Sequence, residues 1–477
     1  MKKTISFIAM FLACLMLIGS LGACAEKPVS SNGTSSVASA DSTADSENTA
    51  ELGEYTSGDE SYTFRVIVQQ AEDSVQSEGY EVKQALDEYI SSYRPNWNYE
   101  FETIPKLEVA SKISILISSN DVPDFFVYED GKMLDDIIKL DAIINLEEDI
   151  KKIGLTIEDF MLPSAIQSKR LTSSYDTIYS LPTSFSLNML FYNKKIFADN
   201  GIEIPKTWDD YEAICDTLQN KGIQPMAFAG AEGWLCGWFL NNYTARFISP
   251  QFHLDAAVNE NGATFRDPEF VEAVQHCQDF FQKGYAGEGF LSVDLANMYQ
   301  IFLTGQAAMM LASADSVAYL SDPDQCEIGE ENIGLIHWGN IEGRPVTYDE
   351  AIATDELACG VAMCIGKSQW AEGTNNEFFH YLLTSWGDRM ISNRKYSTPY
   401  VSTVEIDKDS LSPTQQLVIE KLETVKTPTL WFEGKMSADG TLASQTNIQL
   451  VYEGTMTAQD YAEELAEITD REHPINE

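Results

Sequence analysis

Two tryptophans occupy positions from which an aromatic ring could contact a ligand. Trp234 follows a glycine-rich break at residues 230–233, so it should begin a helix at a lobe edge. Trp431 lies in a polar loop bounded by proline and glycine, where a large ring either anchors the loop or forms a ligand platform. Aromatic faces stack on flat apolar surfaces, and we expect the Trp234 ring to stack on the ligand in this way. The alternative is that Trp234 only packs on the surface, next to the core-facing Trp238 and Phe239.

Gln69 and Gln70 end the first predicted strand at its carboxyl edge. Open α/β sheets bind ligands at that edge. Because a side-chain amide both donates and accepts hydrogen bonds, the pair is expected to bind ligand hydroxyl groups.

Several other kinds of site are disfavoured by the sequence. The five histidines are scattered, and residues 322–324 and 407–409 lack the glycine and closing glutamate of a calcium loop. Arg65, Arg246 and Arg266 do not cluster as a phosphate site requires. Serine-elbow, zinc-protease and phosphate-loop motifs are missing, and among 74 acidic residues carboxylate pairs arise by chance. We therefore predict no metal, no cofactor and no enzymatic activity, with a surface glycosidase as the enzyme alternative.

The N-terminus has the pattern of a secretory signal: Lys2 and Lys3, an apolar run at residues 5–18, and small residues before Cys24. Leu21-Gly-Ala-Cys24 resembles a bacterial lipobox, in which the cysteine is acylated and becomes the mature N-terminus. An ordinary cleaved signal is the alternative. We predict a lipoprotein signal peptide at 1–23 and a lipidated Cys24 with a disordered Ser/Thr-rich tether at 24–59. The body would then lie on the extracellular face of the cytoplasmic membrane, held by the lipid alone.

The charge balance limits the partners of the chain. The sequence has 74 acidic and 31 basic residues, and loss of Lys2 and Lys3 with the signal leaves 29 basic residues and a net charge of −45. Such a chain offers no basic stripe to nucleic acid and is repelled by anionic lipid surfaces. Acids combined with aromatics leave open a cationic ligand such as a polyamine.

Strand and helix patterns alternate from the start of the body. The patterns predict strands at 63–68, 99–103 and 124–128, and helices at 74–93 and 106–117. Such alternation predicts an α/β fold with a parallel sheet covered by helices, and the length of the body suggests two lobes. Further helix starts are predicted at Thr207, Asp267 and Thr457, each of which can cap a helix.

One segment carries a family signature. Leu181-Pro182, Leu190-Phe-Tyr-Asn-Lys194, Phe197, Gly201 and Pro205-Lys-Thr-Trp208 resemble the signature of extracellular solute-binding proteins of ABC importers, in particular the sugar-binding, maltose-binding-protein-like group. Four further segments agree in order and spacing: 122–126, 267–270, 305–310 and 454–457. Tyr192, Phe197 and Trp208 are themselves expected to be core residues.

The resemblance implies a two-lobed periplasmic-binding-protein-like fold whose ligand cleft lies between lobes joined by hinge crossovers. The crossovers would fall at Pro182 and Thr183, just after Met310, and near residues 360–365. Lobe one would contain 60–183 plus 312–362, and lobe two 184–311 plus 363–477. Such a protein would be a monomeric receptor that binds a carbohydrate, expected to be an oligosaccharide, and delivers it to ABC transporter membrane permease subunits.

The resemblance also implies a set of ligand-binding residues. In sugar-binding members, aromatic faces stack on pyranose rings while acids and amides bind hydroxyls. Ser186 stands where the maltose receptor has an acid and Asp315 where it has a tryptophan, so the identity of the sugar does not carry over. The residues that the resemblance adds to Gln69, Gln70, Trp234 and Trp431 are Tyr128, Glu129, Asp130, Phe185, Ser186, Glu232, Ser313 and Asp315.

Overall fold

The computed structural model describes residues 55, 57–74, 77–173, 175, 177–358, 361–394 and 397–474. The predicted signal peptide, Cys24 and the predicted tether as far as residue 54 lie outside the described residues. Within these ranges, no helix is both long enough and apolar enough to cross a membrane.

The described residues form strands and helices that alternate along most of the chain. The strands are β1 Tyr62–Val68, β2 Trp97–Thr103, β3 Phe125–Tyr128, β4 Leu181–Pro182, β5 Ser186–Asn193, β6 Gln224–Ala227, β7 Ala307–Ser313, β8 Ile333–Ile336, β9 Thr354–Ala358, β10 Ala362–Ile365 and β11 Thr427–Thr429. The α-helices are α1 Tyr80–Tyr93, α2 Lys106–Ser118, α3 Leu134–Lys139, α4 Leu146–Asp149, α5 Pro163–Thr172, α6 Lys194–Asn200, α7 Trp208–Asn220, α8 Gly233–Phe247, α9 Phe252–Ala256, α10 Pro268–Gln282, α11 Leu295–Leu303, α12 Val317–Leu320, α13 Tyr348–Ala353, α14 Lys367–Glu372, α15 Asn376–Arg394, α16 Pro413–Thr424, α17 Ala438–Glu453 and α18 Ala458–Glu472. Short 3₁₀-helices include Gly131–Met133 and Phe432–Lys435.

The first sheet has the strand order β2-β1-β3-β10-β4. Its first three strands are parallel, as the alternating pattern predicts, whereas β10 is antiparallel to both of its neighbours. Helix α15 covers this sheet, with the ring of Phe378 centred 4.8 Å from that of Phe64. We call this sheet and its helices the first lobe.

The second sheet has the order β11-β9-β5-β7-β6. Strand β9 pairs with residues 186 and 187 of β5, and β8 pairs with residues 190–193 of the same strand. Its core is rich in aromatic residues, and the buried Trp208 stacks on Trp338 with ring centroids 5.2 Å apart. Phe197 is also buried in this core and contacts the partly buried Tyr192, so the three predicted core residues pack as expected. We call this sheet and its helices the second lobe.

In each sheet, the strand ends on one side face the other sheet. We call each such row of strand ends the facing edge of that sheet. In the first sheet, β10 begins at Ala362, opposite the ends of β3 and β4. In the second sheet, β5 begins opposite the end of β9, where Ser186 pairs with Ala358. Three residues join β4 to β5, and three join β9 to β10. Because such short connections leave both sheets at these edges, the two edges must face each other.

The strand pairings differ from the predicted lobe boundaries. Met310 pairs with Phe191 on one side and Ala227 on the other, so it lies inside the second sheet and the crossover predicted after it is not there. Leaving the sheet at Met310 would forfeit ladder hydrogen bonds on both sides. Residues 312–358, which were predicted for lobe one, therefore belong with the second sheet. Strand β10 and helix α15 belong with the first sheet, although nearly all of their residues were predicted for lobe two. A third crossover lies between α15 and α16, since α16 packs on β8.

The predicted helix starts are present. The Thr207 hydroxyl accepts a hydrogen bond from Asp210 N at 3.1 Å, and the Asp210 carboxylate accepts one from Thr207 N at 3.0 Å. Asp267 accepts from Glu269 N, and Thr457 from Asp460 N. These caps satisfy backbone N–H groups that a helix leaves unpaired at its start.

Candidate functional site

The predicted ligand residues all lie at or next to the two facing edges. In the first lobe, two glutamines follow β1, and three residues end or follow β3. In the second lobe, the others precede or begin β5, follow β6, end or follow β7, or follow β11. In chain order they are Gln69, Gln70, Tyr128, Glu129, Asp130, Phe185, Ser186, Glu232, Trp234, Ser313, Asp315 and Trp431. The topology therefore brings residues far apart in sequence to one interlobe region.

Trp234 and Glu232 form a hydrogen-bonded unit at the start of α8. The indole Nε1 of Trp234 donates to Glu232 Oε2 at 2.9 Å. The Trp234 ring meets the ring of Trp238 at 76°, with centroids 4.9 Å apart. Both rings are only partly buried against the second-lobe core. The arrangement therefore combines a partly exposed aromatic surface with a carboxylate.

Asp130 is bound by a cation of its own lobe. Its Oδ2 lies 2.9 Å from Lys169 Nζ, and the two side chains are 7% and 1% exposed. Lys169 lies on α5, and the Ser180 hydroxyl is 3.5 Å from the other Asp130 oxygen. The carboxylate thus holds the loop after β3 in place. No sequence signal pointed to Lys169, because the pair spans 39 residues.

Tyr128 and Phe185 line the region next to the crossovers. Both side chains are buried, with Tyr128 4% exposed and Phe185 8% exposed. Burial raises the pKa of the Tyr128 phenol to about 12, so it stays protonated near neutral pH and can donate a hydrogen bond. Their burial suits a floor for the interlobe region.

A charged cluster occupies another part of the interlobe region. Arg394, at the end of α15, donates through Nη2 to Glu81 Oε2 at 3.1 Å. The same guanidinium opposes the rise that burial causes in the pKa of Asp315 on the second lobe. Burial also raises the pKa of Glu78, whose Oε2 accepts from Gln69 N at 3.4 Å. Sequence reasoning missed three members of this cluster, Arg394, Glu78 and Glu81.

Two polar side chains in or beside this cluster, those of Gln69 and Asp315, could form hydrogen bonds with a ligand. The amide Nε2 of Gln69 is buried and has no hydrogen-bond partner among the described residues. No described residue donates to the carboxylate of Asp315 either, and burial holds its pKa above the usual range. Buried polar groups normally have partners, so an unpaired donor here is consistent with a role in binding.

Trp431 precedes a tightly packed turn. Its ring packs on Leu254 and Leu430. The next turn of chain contains Glu433, which is buried and accepts from the Ser444 hydroxyl at 3.2 Å. Burial raises the pKa of Glu433. The turn is thereby fixed to α17, and Trp431 is anchored as well as placed at the sheet edge.

Other ligand types find little support in the described part of the chain. It holds no group of three or more His, Cys, Asp or Glu residues suited to a metal ion. The arginines considered for an anion site are committed elsewhere: Arg65 pairs with Asp121, and Arg266 pairs with Glu463 and Asp470.

Comparison with known proteins identifies the relatives of the chain. Residues 73–336, just over half of the 477 residues, match the family model described as bacterial extracellular solute-binding protein. The multiple sugar-binding protein of Streptococcus mutans is 35% identical over 66 residues, which cover 14% of this chain and 15% of the relative. The sn-glycerol-3-phosphate-binding periplasmic protein of Shigella flexneri is 25% identical over 226 residues, covering 45% and 48%. The chain spans about half or less of the length of these relatives.

Solved structures share the fold. A chitin oligosaccharide binding protein superposes with a TM-score of 0.72 at 19% identity, covering 87% of this chain and 98% of that one. The predicted two-lobed architecture of periplasmic binding proteins is confirmed by this likeness, which at such identity speaks to fold alone.

Proposed function

Because the chain belongs to the bacterial extracellular solute-binding protein family, we propose that it captures a carbohydrate between its lobes and delivers it to the permease of an ABC importer. Members of this family are non-enzymatic receptors, so the expectation that the chain is not an enzyme is confirmed by membership. The ligand we propose is an oligosaccharide. The body would be tethered to the extracellular membrane face through a lipid on Cys24, as the Leu21–Cys24 motif indicates.

The observation that carries this proposal is the Trp234–Glu232 unit at the facing edge of the second lobe. A sugar ring has an apolar C–H face and a polar rim of hydroxyls. Trp234 offers a flat apolar surface, and Glu232 offers a carboxylate whose Oε2 accepts from the indole nitrogen at 2.9 Å. Gln69, with its unpaired Nε2, and Asp315 would bind hydroxyls from the other part of the cleft.

Capture would use the crossovers as hinges. We propose lobes of 60–182 plus 362–394, and 186–358 plus 413–474, which follow the strand pairings. The two three-residue crossovers, at 183–185 and 359–361, would allow the lobes to close by changing the dihedral angles of a few residues. Closure would remove the ligand from water and strengthen its hydrogen bonds.

Two other ligand classes are distinguishable. A phosphate ester would suit the Shigella flexneri relative by its name, yet Arg394 is already paired with Glu81, in a cluster that also holds Glu78 and Asp315. That surplus of acid disfavours an anion. A polyamine would be attracted by the same acids, and it is the alternative that we retain.

The test is a thermal-shift screen of the protein from residue 58 onward, because a ligand bound only by the native state raises its melting temperature. The panel comprises raffinose, chitotetraose, maltotetraose, spermidine and sn-glycerol-3-phosphate. A shift with one or more sugars is expected. A shift with spermidine alone, or with the phosphate ester alone, would overturn the carbohydrate proposal.

The binding residue is tested with Trp234→Ala, using calorimetry on the sugar that gives the shift. Loss of a central aromatic contact is expected to raise Kd roughly tenfold to a hundredfold. Tyr348→Ala is the matched control, since Tyr348 is an exposed aromatic residue that begins α13. Helix α13 leads into the start of β9, which is the end of that strand away from the other lobe. An unchanged Kd in Trp234→Ala would assign Trp234 to surface packing.

A further inference from the structure

The loops after β3 and β11 meet through two glycines. Gly131 follows Asp130 and begins the 3₁₀-helix Gly131–Met133, with φ at +77°. A Cβ atom placed on Gly131 would lie 2.3 Å from the carbonyl oxygen of Gly434 and 3.1 Å from its Cα. No side chain fits there, so the contact is made by backbone alone.

This contact joins the two lobes. Gly131 extends from β3 of the first sheet, whereas Gly434 lies in the 3₁₀-helix Phe432–Lys435, which follows β11 of the second sheet. The two loops belong to different lobes, so the distance between them depends on how the lobes are placed relative to each other.

Each loop is also fixed to its own lobe by buried side chains. In the first lobe, the buried Asp130–Lys169 ion pair stands directly before Gly131. In the second lobe, Glu433 is bonded to Ser444 and packs so closely on α8 that a Cβ on Gly237 would lie 2.5 Å from its Oε1. Neither loop can yield easily, so the contact limits the approach of one lobe to the other.

We propose that the Gly131–Gly434 contact is the stop that sets how far the lobes close, and that Gly131 is thereby a positioning residue for Trp431. Trp431 precedes Gly434 by three residues, and its Nε1 would lie 3.2 Å from a Cβ on Gly434. The stop therefore fixes the distance at which the Trp431 ring faces the first lobe. The contact itself needs no ligand. The inference rests on the proposed function only in assigning ligand capture as the role of lobe closure.

The test compares Gly131→Ala with Gly201→Ala by hydrogen–deuterium exchange of the ligand-free protein. Gly201 shares the left-handed backbone, with φ at +65°, but no atom lies within 4 Å of a Cβ placed there. Both variants place an alanine at a positive φ, which strains the backbone of any residue other than glycine. Only Gly131→Ala introduces a collision between the lobes.

The expected result is faster exchange of residues 431–435 in Gly131→Ala, by roughly tenfold to a hundredfold, the factor that one overpacked methyl group commonly produces. Exchange of these residues should stay at the wild-type rate in Gly201→Ala. A purely local effect of Gly131→Ala would be confined to residues 129–133. Equal exchange at 431–435 in the two variants would overturn the proposal. The sugar screen is separate, so its failure would leave this result standing.

Discussion

Replacing Lys169 by methionine should destabilise the first lobe strongly. The substitution keeps an unbranched chain of similar length but removes the cation that lies 2.9 Å from Asp130. With side chains only 1% and 7% exposed, neither member of the pair can turn to water. The Ser180 hydroxyl, at 3.5 Å, is too distant to replace the ion pair. The Asp130 charge would then stay buried after losing this cation, at a cost of roughly 3–5 kcal/mol.

The measurement is urea unfolding at neutral pH, following the transition of the lobe that contains α5. Lys195→Met is the matched control, because the Lys195–Asp199 pair has the same chemistry with side chains 67% and 62% exposed. Exposed pairs contribute roughly 0–1 kcal/mol. Lys169→Met combined with Asp130→Asn should recover much of the loss, since it removes both buried charges. If Lys169→Met costs no more than Lys195→Met, the view that this pair holds the loop before Gly131 is refuted.

Two further predictions concern acid stability and the anchor. Burial lowers the pKa of His253 from 6.5 to about 4, so stability is fully present above pH 6.5 and is lost as pH falls toward 4, by about 3 kcal/mol. In His253→Gln this part of the loss should vanish from urea unfolding measured across that range, and an unchanged slope would contradict the assignment. Cys24→Ser should release the protein from the membrane fraction into the medium, as judged by immunoblot, whereas retention at the wild-type level would contradict lipid anchoring.

Local features of the fold were predictable from sequence. The caps at Thr207, Asp267 and Thr457 act within three residues, so the pattern is sufficient to locate them. Helix α1 begins later than predicted because residues 77–79 form a turn, in which the Ser77 hydroxyl donates to Gln70 O at 2.8 Å. That interaction reaches back to the segment that follows β1 and has no periodic signature.

Features that depend on distant partners were not predictable. The predicted crossover after Met310 failed because β5, more than a hundred residues earlier, pairs with β7 and keeps that strand inside the sheet. The same holds for Lys169 and Arg394, whose partners Asp130 and Glu81 are set by packing between elements. Strand ends could be predicted, so the position of the predicted ligand residues at those ends followed from the pattern, whereas their charged partners Lys169 and Arg394 did not.

The contact between Phe64 and Phe378 has a kinetic consequence. These rings, 4.8 Å apart, belong to the first strand of the body and to α15, more than three hundred residues later. Contacts of such high sequence separation form slowly, because a long loop must close before they contribute any energy. The first lobe therefore cannot complete its core while the chain is still being synthesised, until α15 has emerged.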